Sequence, residues 1–345
     1  MKTKILKFIL PISLILILSS CVTPRMFTTL DVLRPAEVTF NPEVQNVLIV
    51  NNSVVQPYNV GHADIKSSAT RNNPVNVSLK FDSAALFCAA SLRENLEAKD
   101  FFYSVSMSQT NMNTTDNYYR LAPLNKQTVR FLCGLYNADA LISLDHIQTE
   151  DKSYMNSGNI QSALDVKINT KWTIHYPTDS LSVFKEFSDE FSWEDAQFNK
   201  LPNRYDALVD ACILTGSNIA DRMIPRWEKE DRYFYTPKKQ LFVQAMDSLT
   251  YKKWQAAIDL WVKASETTKN NKTKFHAYNN IAIAYEIMGN LDKAMNYASK
   301  AVETFPNIIA FSSTTLDEIY ELLDYYEILK KRKLEAILLD KQLND

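Results

Sequence analysis

Apolar residues follow two different rhythms along the chain. From about residue 44 to 227, short β-branched runs alternate with helical stripes, and beyond Pro237 a 3.6-residue period takes over. Val47-Leu48-Ile49-Val50, ending in Asn51-Asn52-Ser53, predicts a buried strand that enters a loop. A polar, asparagine-rich stretch follows to about Asn76. Ala85, Cys88, Ala89, Leu92 and Leu96 then share one face of a helix over residues 81–96. Residues 101–107 alternate as a half-buried strand. Val129, Leu132, Cys133 and Tyr136 mark a helix over 125–136, and residues 140–147 read as another strand. Two β-rich segments, 166–176 and 181–193, flank the turn signal Pro177-Thr178-Asp179-Ser180. Tyr205, Leu208, Cys212, Thr215 and Ile219 mark a closing helix. This order predicts an α/β (α+β) domain with a mixed sheet and helices packed on it.

The same order, with the strand Ala138-Asp139-Ala140-Leu141-Ile142-Ser143-Leu144, resembles the α/β domains of curli-secretion-type and TolB amino-terminal-type proteins over residues 44–227. Long polar inserts at 53–76 and 108–120 depart from that pattern.

Two helical copies align at an offset of 37 residues in the last third. Trp254, Ala257, Trp261 and Ala264 in the first match Leu291, Ala294, Ala298 and Ala301 in the second. Tyr278, Ile281, Ala282, Tyr285, Gly289 and Pro306 complete the second copy. This pattern resembles the tetratricopeptide repeat, an antiparallel helix pair of about 34 residues. The copies span 238–271 and 275–308, with Lys252 where the second has its turn glycine. Residues 314–329 and 331–343 read as two capping helices, since a solenoid needs a polar outer end. The expected second domain is therefore an all-α tetratricopeptide-type array over 237–345. The repeat resemblance implies a concave groove lined by Lys239, Phe242, Met246 and Leu249 from the first copy. From the second come His276, Asn279, Ile283 and Glu286. An apolar groove of this kind suits a peptide segment of a protein partner.

Chemistry elsewhere is sparse. Five glycines, no two close together, leave no phosphate cradle. Thirty-eight Lys+Arg against 40 Asp+Glu give a net charge of −2, which argues against nucleic acid. Four separated histidines and no zinc-type cysteine spacing predict no metal and no cofactor. No familiar serine-nucleophile motif occurs, so the reading is non-enzymatic. Asp145-His146 and the acidic stretch from Glu186 to Asp195 read as strand-edge and solvated-face charges. Residues 227–235 (WEKEDRYFY) are expected to dock the repeats on the α/β domain.

Three lysines in the first seven residues, an eleven-residue apolar run over 8–18, and Leu18-Ser19-Ser20-Cys21 form an amino-terminal address. This segment resembles the bacterial lipobox. The resemblance implies removal of residues 1–20, acylation (palmitate included) at Cys21 and a membrane anchor. Residues 21–43 then read as a tether. Val22, in place of an aspartate, implies outer-membrane placement, with the periplasmic face expected. Cys88, Cys133 and Cys212 lie in apolar helical settings and are expected as buried thiols, with one disulfide among them as the alternative. The whole chain looks like an uncharacterised family of Gram-negative envelope lipoproteins. It is expected to act as a protein-interaction scaffold. The alternatives are an oligomerising subunit of an envelope complex and a glycan-binding lipoprotein.

Overall fold

A computed structural model describes residues 23–68, 71–155, 161–178, 181–195, 201–305 and 313–343. Cys21 with its leader, Pro306 and the Asp179-Ser180 half of the predicted turn lie outside the described residues. A mixed β-sheet region is followed by a helical array, as the apolar rhythms predict. Two compact units divide the chain. One holds residues 36–226 with the chain's last few residues. The other holds Trp227–Asp340 with the residues up to Pro35.

Seven strands among the described residues build the sheet of the first unit. β2 (Asn46–Asn51) pairs in parallel with β5 (Ser104–Met107) and with β6 (Ala140–Met155), while β1 (Arg25–Arg34) lies in the other unit. On the same edge of β6, further along, lies β3 (His62–Ser68), parallel to it and antiparallel to β4 (Arg71–Asn76). The other edge of β6 runs antiparallel to β7 (Gln161–His175), which pairs with β8 (Val183–Glu194). Ala140 to Leu144 are all fully buried, which is why that stretch shows no alternation of apolar and polar positions.

Helices α1 (Ala84–Ala98) and α3 (Arg204–Met223) enclose the main core with one face of the sheet. Their approach depends on Gly216: a Cβ there would lie 2.4 Å from the Cys88 carbonyl oxygen. α2 (Lys126–Tyr136) packs on the opposite face against Leu48, Val50 and Leu141. Asn125 caps its start, accepting from the Thr128 N–H, and Asn137 ends it at φ 52°.

The polar stretch before Asn76 departs from expectation by containing the β3–β4 hairpin. β6 also runs eight residues beyond the predicted 147.

In the second unit β1 pairs with β9 (Arg226–Tyr235). Residues 25–34, expected within a tether, are thus a strand. Four helices follow: α4 (Gln240–Thr250), α5 (Trp254–Thr267), α6 (Asn271–Ile287) and α7 (Leu291–Glu303). The repeat alignment has a direct conformational counterpart. Lys252 and Gly289 occupy equivalent turns and both take positive φ, 56° and 77°. Ala257, Ala294, Ala298 and Ala301 are fully buried, letting the helices close on one another. The two expected capping helices are one, α8 (Ser313–Leu343), because no proline or glycine interrupts 329–331.

Candidate functional site

The face of α6 that should line an open groove is largely occupied by the chain itself. Strand β9 lies along it. Asn280 holds the last residue of that strand at both backbone groups, accepting from Tyr235 N and donating to Tyr235 O, each at 2.8 Å. Phe234 stacks on Trp261 with ring centroids 5.5 Å apart, and Tyr235 stacks on His276 at 4.1 Å. A peptide segment laid across this face is what the repeat groove was expected to take from a partner. Here the guest is residues 226–235, so the WEKEDRYFY segment belongs to the helical unit's own packing.

Of the eight predicted groove residues, Phe242, Leu249, His276, Asn279, Ile283 and Glu286 are buried, Met246 is half-buried and Lys239 is exposed. Lys239 Nζ donates to Thr273 Oγ1. Glu286 sits at the centre of an ionic cluster: Arg232 reaches both its oxygens at 2.8 and 2.9 Å, Tyr325 donates at 2.9 Å, and Arg332 pairs with it. Burial alone would raise the Glu286 pKa, but Arg232 and Arg332 more than reverse this and hold it below the carboxylate range. His276 lies 3.4 Å from Glu318. Burial outweighs that carboxylate and lowers the imidazole pKa, so it is neutral at pH 7.

Two of the eight, though buried, border a cavity. Asn279 and Ile283 line a cavity of about 240 Å³, joined by Arg232 and Tyr233 of β9 and by Tyr325 and Ile328 of α8. Asp231, Glu321 and Asp324 stand round its mouth. Asn279 is 3% exposed, and its Nδ2 has no hydrogen-bond partner among the described residues. An unmet buried amide costs about 1–3 kcal/mol, so a satisfied alternative is worth that much to whatever supplies it. The repeat register reveals Asn279 and Ile283. Tyr233, Tyr325, Ile328 and the three acids come from outside the repeats, and nothing in the sequence announces that they converge.

The sheet unit offers polar clusters of a different kind. Asp145 accepts from Asn52 at 2.9 Å, Ser143 at 2.8 Å and Thr173 at 2.5 Å, and is buried. His146, beyond a bulge in β6, stacks instead with Tyr118 at 4.7 Å. The Asp145-His146 neighbours therefore form no dyad. His62 and Arg204 both pair with buried Asp151, and Arg204 also reaches Asp64. A cavity of about 320 Å³ opens over β6–β8, and several of its groups are already matched. Lys167 holds Glu190 at 2.7 Å and Ser192 donates to Asp165 at 2.7 Å. In the acidic stretch, Glu186 pairs with Lys171 and Asp189 with Arg222.

Cys88, Cys133 and Cys212 are free and buried. Burial pushes the Cys212 thiol up to about 12, Cys133 up to about 11 and Cys88 well above its ordinary value, so none is a ready nucleophile. Among the described residues no cluster of three or more His, Cys, Asp or Glu side chains could hold a metal ion. No described helix is long and apolar enough to cross a membrane.

A mixed sheet followed by short helical hairpins defines a two-part α/β and all-α protein. The chain belongs to the family described as "Domain of unknown function (DUF8603)", whose model matches residues 44–235. A second model, "Domain of unknown function (DUF6340)", matches residues 243–331. No curated protein matches the chain. Solved structures similar to it include an uncharacterized protein at 12% identity, covering 52% of this chain and 90% of that one, with a TM-score of 0.25. A DUF330-family protein from Xanthomonas campestris is 11% identical, with 54% and 90% covered and a TM-score of 0.26. The rare lipoprotein B from Shewanella oneidensis is 8% identical, with 55% and 96% covered and a TM-score of 0.23. Scores this low carry no argument about function.

Proposed function

We propose that the chain is a non-enzymatic envelope lipoprotein, anchored through acylated Cys21 on the periplasmic side of the outer membrane. Its helical unit acts there as a docking scaffold for a protein partner. The anchor rests on the lysines, apolar run and cysteine of the amino terminus. The docking role rests on one observation: the groove residue Asn279 is buried at the cavity beside β9 with its amide unmet. At about 240 Å³ this cavity is smaller than the roughly 300 Å³ at which small-molecule pockets begin. It suits one anchoring side chain better than an organic cofactor.

The reading is tested by crosslinking in cells and pull-down of the native protein beside an Ile328→Trp variant, which fills the cavity from its half-buried wall. A partner lost only by the variant, with the melting temperature kept, supports docking at this cavity. The same partner on both proteins moves docking elsewhere, and self-crosslinks alone favour an oligomerising subunit. A Cys21→Ser variant is expected to leave the membrane fraction.

A further inference from the structure

The cavity beside Asn279 combines an apolar floor with an acidic mouth. Ile283 and Ile328 form aliphatic wall, and the rings of Tyr233 and Tyr325 flank them. Asp231 and Asp324 are exposed at the rim, and among the described residues neither has an ion-pair partner. Asp231 accepts from Thr29 Oγ1 at 2.8 Å, a neutral donor. The nearby cations are already committed. Arg232 belongs to Glu286 and Glu230, and Arg25 to Glu321. Asn279, at the cavity wall, has a carboxamide that no described residue engages.

The same neighbourhood already shows which chemistry it accepts. Arg25 lays its guanidinium 4.2 Å from the centre of the Tyr233 ring and meets both oxygens of Glu321 at 3.0 and 2.6 Å. On the cavity side the Tyr325 ring already carries the Arg232 guanidinium at 5.3 Å, whereas the carboxylates of Asp231 and Asp324 have no such guest among the described residues.

Resting on the docking reading above, we infer that the cavity receives the side chain of an arginine carried on a segment of the partner protein. The aliphatic stem lies on Ile283 and Ile328. The planar guanidinium meets Asp231, Asp324 and the carbonyl of Asn279. Asn279 Nδ2 is then left to donate to a main-chain carbonyl of the same segment. A chain-borne arginine fits better than the free amino acid, whose α-carboxylate would face the acidic rim.

The test is methyl NMR of Ile283 and Ile328 in the full chain in detergent micelles, titrated with three peptides. These are acetyl-Ala-Ala-Arg-Ala-Ala-amide and its citrulline and glutamate counterparts. Citrulline keeps the shape of arginine and removes its charge. The arginine peptide is expected to shift both methyls saturably, the citrulline peptide to bind about tenfold more weakly, and the glutamate peptide to leave them unmoved. A doubly substituted protein, Asp231→Asn with Asp324→Asn, should reduce arginine binding to the citrulline level. Equal shifts from arginine and citrulline would overturn the cationic guest and leave the docking pocket standing. If no peptide moved either methyl, both readings would fall.

Discussion

Asp145 in the sheet unit and Asn279 in the helical unit are both buried polar side chains, and they differ in how they are met. Three donors converge on Asp145, and its neighbours Ser143 and Thr173 spend their hydroxyls on it. Asn279 has none among the described residues, although Asn280, one residue along, is satisfied at both ends of its amide. A closed polar network specifies a core and has nothing left to offer a guest. An open one costs stability and keeps a hydrogen bond available. Position alone does not separate the two cases, since all three side chains are buried on regular elements. What separates them is the count of partners.

The largest break in this contrast is expected at Glu286. Glu286→Leu strands Arg332 without a counter-charge and leaves buried Arg232 with Glu230 alone, and should cost about 3–5 kcal/mol, read as a fall in the urea midpoint. Gly216→Ala attacks the sheet unit instead: its new Cβ meets the Cys88 carbonyl, and forcing α1 and α3 apart should cost about 1–3 kcal/mol.

Acid separates the units further. His276 and, in the sheet unit, His175 have folded pKa values lowered by burial, so the unfolded chain binds those protons more readily. Stability is therefore full above about pH 6.5 and declines as pH falls toward the folded values. Glu286 and Glu318 have lowered folded values too, with burial outweighed by their basic partners. Their contribution is present above about pH 4.3 and is lost as pH falls through the folded pKa. The sheet unit has Asp139, held low by the Asn46 and Gln45 N–H groups but exposed, so the second loss in strong acid should be larger in the helical unit, followed by urea unfolding between pH 7 and 3.

Smaller effects sharpen the picture. Lys252→Gly, at φ 56°, should gain about 0.5–1 kcal/mol, because the position already has the geometry of Gly289. Asn279→Leu should change stability by less than about 1 kcal/mol, or raise it, since it removes an unmet amide. A large loss there would mean that the amide is satisfied within the folded chain and that the cavity has no vacancy to fill.

Much of this architecture was legible where apolar periodicity is strong. The run at 47–50, the stripe on α1 and the alanine register of α5 and α7 all lie where their patterns put them. The hairpin of β3 and β4 was hidden because its sequence, HADIKSS and RNNPVN, carries almost no apolar signal. Those strands exist because β6 runs on past 147 and offers an edge for pairing. β1 was hidden for a different reason: RMFTTLDVLR has a weak alternation, and its partner β9 lies about two hundred residues away. The site was half legible on the same grounds. Repeat register finds Asn279 and Ile283, whereas Asp231 and Asp324 enter from elements whose placement only tertiary structure reveals.

That separation in sequence has a consequence for the order of assembly. Arg34 pairs with Glu335 at 2.7 Å across 301 positions, and Arg25 with Glu321 across 296. Chains emerge from synthesis amino terminus first, so β1 must wait for nearly the entire polypeptide before these two ion pairs can close. Loop closure over such spans is slow relative to the local helical hairpins, which can form as soon as they are made. The earliest described strand is thus secured in two stages: Arg34 can meet Glu228 and Glu230 once β9 is made, but Arg25 has no acid to hold until α8 arrives.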